Sequence, residues 1–159
     1  LSNQEMNSLY NHPKIKAMLT LTKGEGFGRP LLEFTLTGKP VVASNWSGHK
    51  DFLNLDNSVL IGGKLLEVHE SAIDNFIIKG SKWFTANYDE FAFAIQTMKD
   101  NYDRFLEKSL PLKDINKNNF SLEKMTEVFK NILTSKVDIQ KKPEPTYTKL
   151  VLPKLNKIG

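Results

Sequence analysis

Apolar and polar positions change their period several times along the chain. Met6, Leu9 and Tyr10 fall on one face of a helical repeat, and Ser2-Asn3-Gln4-Glu5 just before them has the form of a capping box. A short helix is therefore predicted to open the chain. Ala17-Met18-Leu19-Thr20-Leu21-Thr22 then reads as a strand, and a glycine-rich stretch follows it. Pro30 suits the first turn of a helix, because its missing N–H is not needed there, and Gly38 is a natural stop for that helix. Residues 41–44 read as a buried strand, residues 48–53 as a short helical turn, and residues 58–61 as a third strand ended by Gly62-Gly63.

Beyond Gly63 the pattern loosens, and two short strands are expected at 64–68 and 82–85, on either side of the stretch 73–78. Asn87 and Glu90 repeat the capping-box spacing, and Phe91, Ala94, Ile95, Met98, Tyr102, Phe105 and Leu106 recur at helical intervals, which predicts one continuous helix. A last helix is predicted with Ser121 as N-cap, Phe120 and Met125 as a hydrophobic staple, and Leu122, Val128, Phe129, Ile132 and Leu133 along one side with Met125. No internal repeat is present. Strands alternating with helices imply an α/β fold with a parallel sheet and flanking helices.

Composition changes this picture little. A chain of 159 residues with 40% hydrophobic content can bury one core. It has no cysteine, which removes disulfides and thiolate metal sites. Its longest apolar runs are far too short to cross a bilayer, and its start lacks a signal pattern, so a cytoplasmic protein is expected.

Charge matters more by position than by sum. The net charge of +4 arises in residues 136–159, where six lysines face Asp138 and Glu144, while residues 1–135 balance at 16 against 16. A neutral globular part gives no reason to expect nucleic acid as a partner. Pro143, Pro145 and Pro153 make the tail read as an extended arm. Such an arm is a solvated tail or a strap across a neighbouring domain, or it touches anionic lipid or an acidic acceptor.

Candidate chemistry concentrates in residues 23–33, Lys-Gly-Glu-Gly-Phe-Gly-Arg-Pro-Leu-Leu-Glu. The glycines 24, 26 and 28 have neither the spacing of a dinucleotide fingerprint nor the Gly-Lys-Ser/Thr of a Walker loop. His12, His49 and His69 lie far apart with no ligand spacing, so surface or supporting histidines are expected and no metal site. A glycine loop between a strand and a helix is where open α/β sheets bind ligands. The amides of residues 28–32 would face a phosphate or diphosphate there, and Arg29 would add charge. Eight residues of helix rise roughly 12 Å, too far for Glu25 and Glu33 to flank one glycosidic bond at about 5–9.5 Å. Two carboxylates holding different parts of one elongated ligand fit this spacing better.

The run Glu25-Gly26-Phe27-Gly28-Arg29-Pro30-Leu31-Leu32-Glu33, followed by Gly38-Lys39-Pro40-Val41-Val42-Ala43-Ser44, resembles the E-x7-E signature of retaining, nucleotide-sugar-dependent glycosyltransferases of the GT-B fold, group 1 type. The likeness continues through Ser47-Gly48-His49-Lys50-Asp51, where the family often has G-G-x-x-E, and more loosely to Trp83 and the helix after it. It implies a Rossmann-like, C-terminal donor-binding domain over residues 1–135, truncated at its start, with residues 136–159 as a tail. By the resemblance, Glu25 approaches the donor sugar and is the catalytic residue. Gly26, Phe27, Gly28, Arg29, Pro30 and Leu31 face the diphosphate, and Glu33 binds the ribose. Ser47, Gly48, His49 and Asp51 would support them.

A complete enzyme of that type has two Rossmann-like domains, so the resemblance implies on the order of 100 residues before Leu1. These would include an acceptor domain and the basic residues that neutralise the leaving diphosphate. A fragment or one half of a split protein is thus expected. Two functions follow: a segment of a retaining glycosyltransferase acting on a nucleoside-diphosphate sugar without metal or cofactor, or a nucleotide-sugar-binding module without turnover of its own. Nothing in the sequence sets an oligomeric state.

Overall fold

A computed structural model describes residues 1–136. Its elements are α1 (Asn3–Asn11), β1 (Met18–Thr20), α2 (Arg29–Thr35), β2 (Val41–Ser44), a single-turn helix at Gly48–Asp51, β3 (Val59–Ile61), β4 (Gly63–Glu67), a second single turn at Glu70–Ala72, β5 (Lys82–Ala86), α3 (Tyr88–Asp100), α4 (Tyr102–Asn119) and α5 (Leu122–Lys136). One compact unit runs from Leu1 to Met125, and a second begins at Thr126. In the second unit the described residues are the last turns of α5, which expose Phe129 and Ile132. The basic tail foreseen from its lysines and prolines lies, after Lys136, outside the described residues.

The three expected strands form one parallel sheet in the order β1-β2-β3. Met18 pairs with Val41 and Thr20 with Ala43, while Val42 pairs with Val59 and Ser44 with Ile61. Alternation along β2 then sends its side chains to opposite faces. Val41 and Ala43 join Leu31, Phe34, Phe52, Leu53, Leu60 and Leu112 on one face, and Val42 joins Ile61, Phe84, Ala86 and Met98 on the other. All four residues of β2 are buried, as befits a strand covered on both faces. The strands expected at 64–68 and 82–85 pair antiparallel as a separate two-stranded ribbon, and Phe84 and Ala86 of that ribbon close the second face.

Local signals set most boundaries. Ser2 and Glu5 form the reciprocal capping box, with Glu5 Oε2 accepting from Ser2 N–H at 2.7 Å. These hydrogen bonds hold the Glu5 carboxyl below the usual carboxylate range. At the other end of α1, Lys39 Nζ donates to the Tyr10 and His12 carbonyls at 2.7 and 3.0 Å. Desolvation, helped by nearby Lys16, lowers the Lys39 pKa. Pro30 sits in the first turn of α2, and Gly38 takes the left-handed φ of 76° that ends it.

Two expectations fail in instructive ways. The single helix predicted across 91–106 is two helices, because Asn101 leaves helical geometry (φ −132°, ψ 41°) and turns the chain from α3 into α4. The apolar period crosses this break because Phe91, Met98, Tyr102 and Phe105 all pack in the same second cluster. The second capping box is only half formed. Asn87 accepts from the amides of Asp89 and Glu90, but the Glu90 carboxylate reaches out to Gly62 N–H at 3.0 Å and ties α3 to the end of β3.

α4 crosses to the first face and buries Leu112 and Asn116. Asn116 Nδ2 donates to Thr35 Oγ1 at 2.9 Å and to the Phe52 carbonyl at 3.3 Å, linking α2, α4 and the segment after β2. Asn116→Ala is expected to lower the unfolding free energy by about 1–3 kcal/mol, because two buried acceptors lose their donor. Urea denaturation beside Thr35→Val and the double variant measures it. A loss below about 0.5 kcal/mol, the range of ordinary surface changes, would remove Asn116 as a tie.

Candidate functional site

The parallel pairing brings the segments that leave β1 and β2 side by side. After β1, Ser44 Oγ donates to the Thr22 carbonyl at 2.9 Å, and Lys23 extends so that its ammonium lies 3.9 Å from the centre of the Trp83 ring. The Lys23 carbonyl accepts from Phe84 N–H at 3.3 Å. Both contacts fix the start of the glycine loop against β5. After β2, Trp46 stacks on Phe84 with centroids 5.8 Å apart and planes 3° apart.

The two segments then lock together. Ser47 Oγ accepts from Glu25 N–H at 2.9 Å and donates to the Glu25 carbonyl at 2.5 Å, while Gly48 N–H also donates to that carbonyl at 3.1 Å. Gly48 is a steric requirement, since a Cβ there would lie 2.1 Å from the Gly26 carbonyl oxygen. Ser47 has φ 79° and ψ −166°, a region used almost only by glycine. Such a backbone costs about 1–3 kcal/mol, and two hydrogen bonds at about 0.5–1.5 kcal/mol each are of the size that offsets it.

Of the two places expected for it, surface or support, His49 takes the inward one: it is fully buried, and its Nε2 donates to the Ser44 carbonyl at 2.6 Å, which leaves Nδ1 as an acceptor. His49 Nδ1 and Thr22 Oγ1 are buried and find no hydrogen-bond partner among the described residues. Gly28, buried beside His49, has φ 85°, and a Cβ on it would meet His49 Cβ at 3.0 Å. His12 and His69 are exposed, and among the described residues their rings bond to nearby main chain and to Ser71.

The other sequence candidates fall as follows. Glu25 is half-buried in the loop, and Gly26 is exposed. Phe27 is 39% exposed, its ring resting on Phe52 and Phe120 at 5.2 and 5.8 Å. Arg29 and Pro30 are exposed, whereas Leu31 is core. The expectation that the amides of residues 28–32 face a ligand needs correcting. Pro30 has no N–H, and Leu31 and Leu32 donate to the Gly28 carbonyl at 2.9 and 3.1 Å. The amides of Gly26, Phe27, Gly28 and Arg29 donate to no acceptor among the described residues.

Glu33 is held by Arg29, whose Nε lies 2.7 Å from Glu33 Oε1 one helical turn away. Both line a groove of about 630 Å³ between α1 and α2, together with Asn3, Asn7 and Tyr10. Asp51 is exposed and makes no side-chain hydrogen bond or ion pair among the described residues. Thr22, Trp46 and Phe84 were not among the residues singled out from the sequence. They are placed by strand ends and the ribbon, and no motif marks them. Among the described residues no group of His, Asp and Glu side chains could hold a metal ion, and no helix is long and apolar enough to cross a membrane.

No protein-family model matches this chain, and no curated protein does. Solved structures do share its fold. The structures of Anabaena Alr3699/HepE in complex with UDP-glucose, and with UDP and glucose, each superpose with a TM-score of 0.59 at 19% identity, over 82% of this chain and 30% of theirs. The complex with UDP gives a TM-score of 0.56 at 19% identity, over 83% and 29%. The chain thus spans less than a third of the length of these solved chains. At this identity the likeness is one of fold: a Rossmann-like α/β arrangement with a parallel sheet and flanking helices.

The two loop glycines are expected to respond oppositely to the same substitution. Gly26→Ala meets nothing within 4 Å and should change stability by no more than about 0.5 kcal/mol. Gly48→Ala forces main chain from main chain and should cost more than about 3 kcal/mol, the range of severe steric changes. Parallel urea titrations decide it. Equal effects would mean that the loops do not approach as described.

Proposed function

We propose that this chain is a donor-binding segment of a retaining GT-B glycosyltransferase of group 1 type, which moves a sugar from a nucleoside-diphosphate sugar to an acceptor. The observation that carries the reading is the loop 23–28. It leaves the carboxyl end of β1, is held at Glu25 by the segment after β2, and enters α2 with Glu33 one turn inside. Support comes from the E-x7-E resemblance and from solved structures of the same fold that hold UDP-glucose or UDP.

In this reading the diphosphate lies against the uncommitted amides of residues 26–29, which supply dipoles without metal. Glu33 takes the ribose hydroxyls. Glu25 lies at the sugar, where its carboxylate orients the donor and offsets positive charge growing at the anomeric carbon as the bond to diphosphate breaks and the bond to the acceptor oxygen forms. Gly28 and Gly48 let the main chain come close enough to serve this.

A second reading, a nucleotide-sugar-binding module that needs further residues for turnover, is favoured by the cations. Arg29 is already engaged by Glu33, and Lys23 lies over Trp83. Without nucleotide both charges are engaged within the protein, Arg29 until Glu33 exchanges it for the ribose. On this reading the charges that neutralise a departing diphosphate come from outside the described residues.

Two measurements test the site. Glu33 must exchange Arg29 for the ribose, so a bond to a charged group worth about 1.5–3 kcal/mol is reduced by an exposed pair worth about 0.3–0.5 kcal/mol. Glu33→Ala should therefore weaken nucleoside diphosphate binding by roughly 5- to 100-fold in calorimetry. Unchanged affinity would remove Glu33 from the site. Glu25→Gln should do the reverse, lowering turnover of the sugar donor by roughly 100-fold or more while affinity for the bare nucleoside diphosphate holds. Normal turnover with lost nucleotide affinity would make Glu25 a support of the diphosphate loop.

A further inference from the structure

Ser47 is the non-glycine residue with positive φ among the described residues, and it stands where the backbone all but requires glycine. A glycine there would relieve the strain. What it could not supply is the hydroxyl, which uses its donor and one acceptor lone pair on a single neighbour, the main chain of Glu25. Bonding N–H and C=O of one residue at once restrains both of its peptide planes, and so the direction in which its Cβ leaves the loop. Gly48 N–H holds the same carbonyl without that second point, so the loop stays closed, but free to pivot, when the hydroxyl is lost.

We infer that Ser47 is a positioning residue, a strained clamp that aims the Glu25 carboxylate. The inference rests on the proposed role of Glu25 at the sugar. Ser47 touches no ligand in this scheme and acts through Glu25 alone. Trp46 stacks on Phe84, and the Ser47 hydroxyl makes no hydrogen bond other than those to Glu25 among the described residues.

Two substitutions separate aim from strain. Ser47→Gly loses the hydroxyl and relieves the backbone, whereas Ser47→Ala loses the hydroxyl and keeps the strain. In the whole protein Ser47→Gly should melt above Ser47→Ala, the reverse of the usual order of these residues. Both should nevertheless lose kcat to the same extent, on the order of 10-fold or more, with donor KM little changed. Hydrogen exchange at the Glu25 amide, protected by Ser47 Oγ, should accelerate in both. A Ser47→Gly protein with wild-type kcat, or with unchanged exchange at Glu25, overturns the clamp while leaving the proposed function standing. A wild-type protein that neither transfers nor hydrolyses sugar from any nucleoside-diphosphate sugar tested overturns that function, and the positioning role with it.

Discussion

The parallel pairing of β2 with a strand on each side is the constraint from which the rest of the structure follows. β2 is short, and each of its residues is buried. Its main chain must therefore be satisfied by β1 and β3, since buried N–H and C=O groups cannot be left to water. Its side chains must be covered on both faces, by the cluster around Leu31 and Phe34 and by the cluster around Ile61 and Phe84. In a parallel arrangement all three strands point the same way. The loops after β1 and β2 then emerge together from one end of the sheet, and the contact of Ser47-Gly48 with Glu25-Gly26 is a consequence.

That contact explains why the glycine loop is both permissive and fixed. Gly28 and Gly48 are needed where another main chain or His49 comes within reach of a side chain, whereas Gly26 has open space around it. Flexibility of sequence does not become freedom of structure, because the Lys23 carbonyl is held by Phe84 and the Glu25 main chain by Ser47 and Gly48. A loop held at both points loses less entropy when a ligand orders it.

Residues whose signal is local were legible in the sequence. Ser2 with Glu5, Pro30, Gly38 and the run Val41-Val42-Ala43-Ser44 each specify their element within a few neighbours, and each is found as expected. The misreadings share a different cause. Asn101 breaks a helix that its flanking apolar period runs through, because the same cluster accepts residues from both sides of the break. Glu90 prefers Gly62 to its own N-cap, through a partner set by the sheet. The positive φ of Ser47 likewise follows from folded geometry, whereas the pairing of Arg29 with Glu33 is a local contact between residues four apart on one helix. The glycines and glutamates of the loop could be picked out from their spacing, and Ser47 and Gly48 from the family resemblance, but the contacts by which these residues hold the loop could not.

Departures from ordinary folding rules are not spread evenly over the described residues. The strained Ser47 and the buried polar atoms of Thr22 and His49 without partners all lie in the segments that follow β1 and β2. Strain and unmet polar groups are destabilising wherever they occur, so their clustering at the strand ends where open α/β sheets bind ligands argues for function there. This argument uses neither motif nor likeness, yet it selects the same loop as both. A transferase and a pure binding module would each use that end of the sheet. What divides them is whether the Glu25 carboxylate interacts more strongly with a changing donor than with a bound one, since only the difference between those two states accelerates a reaction.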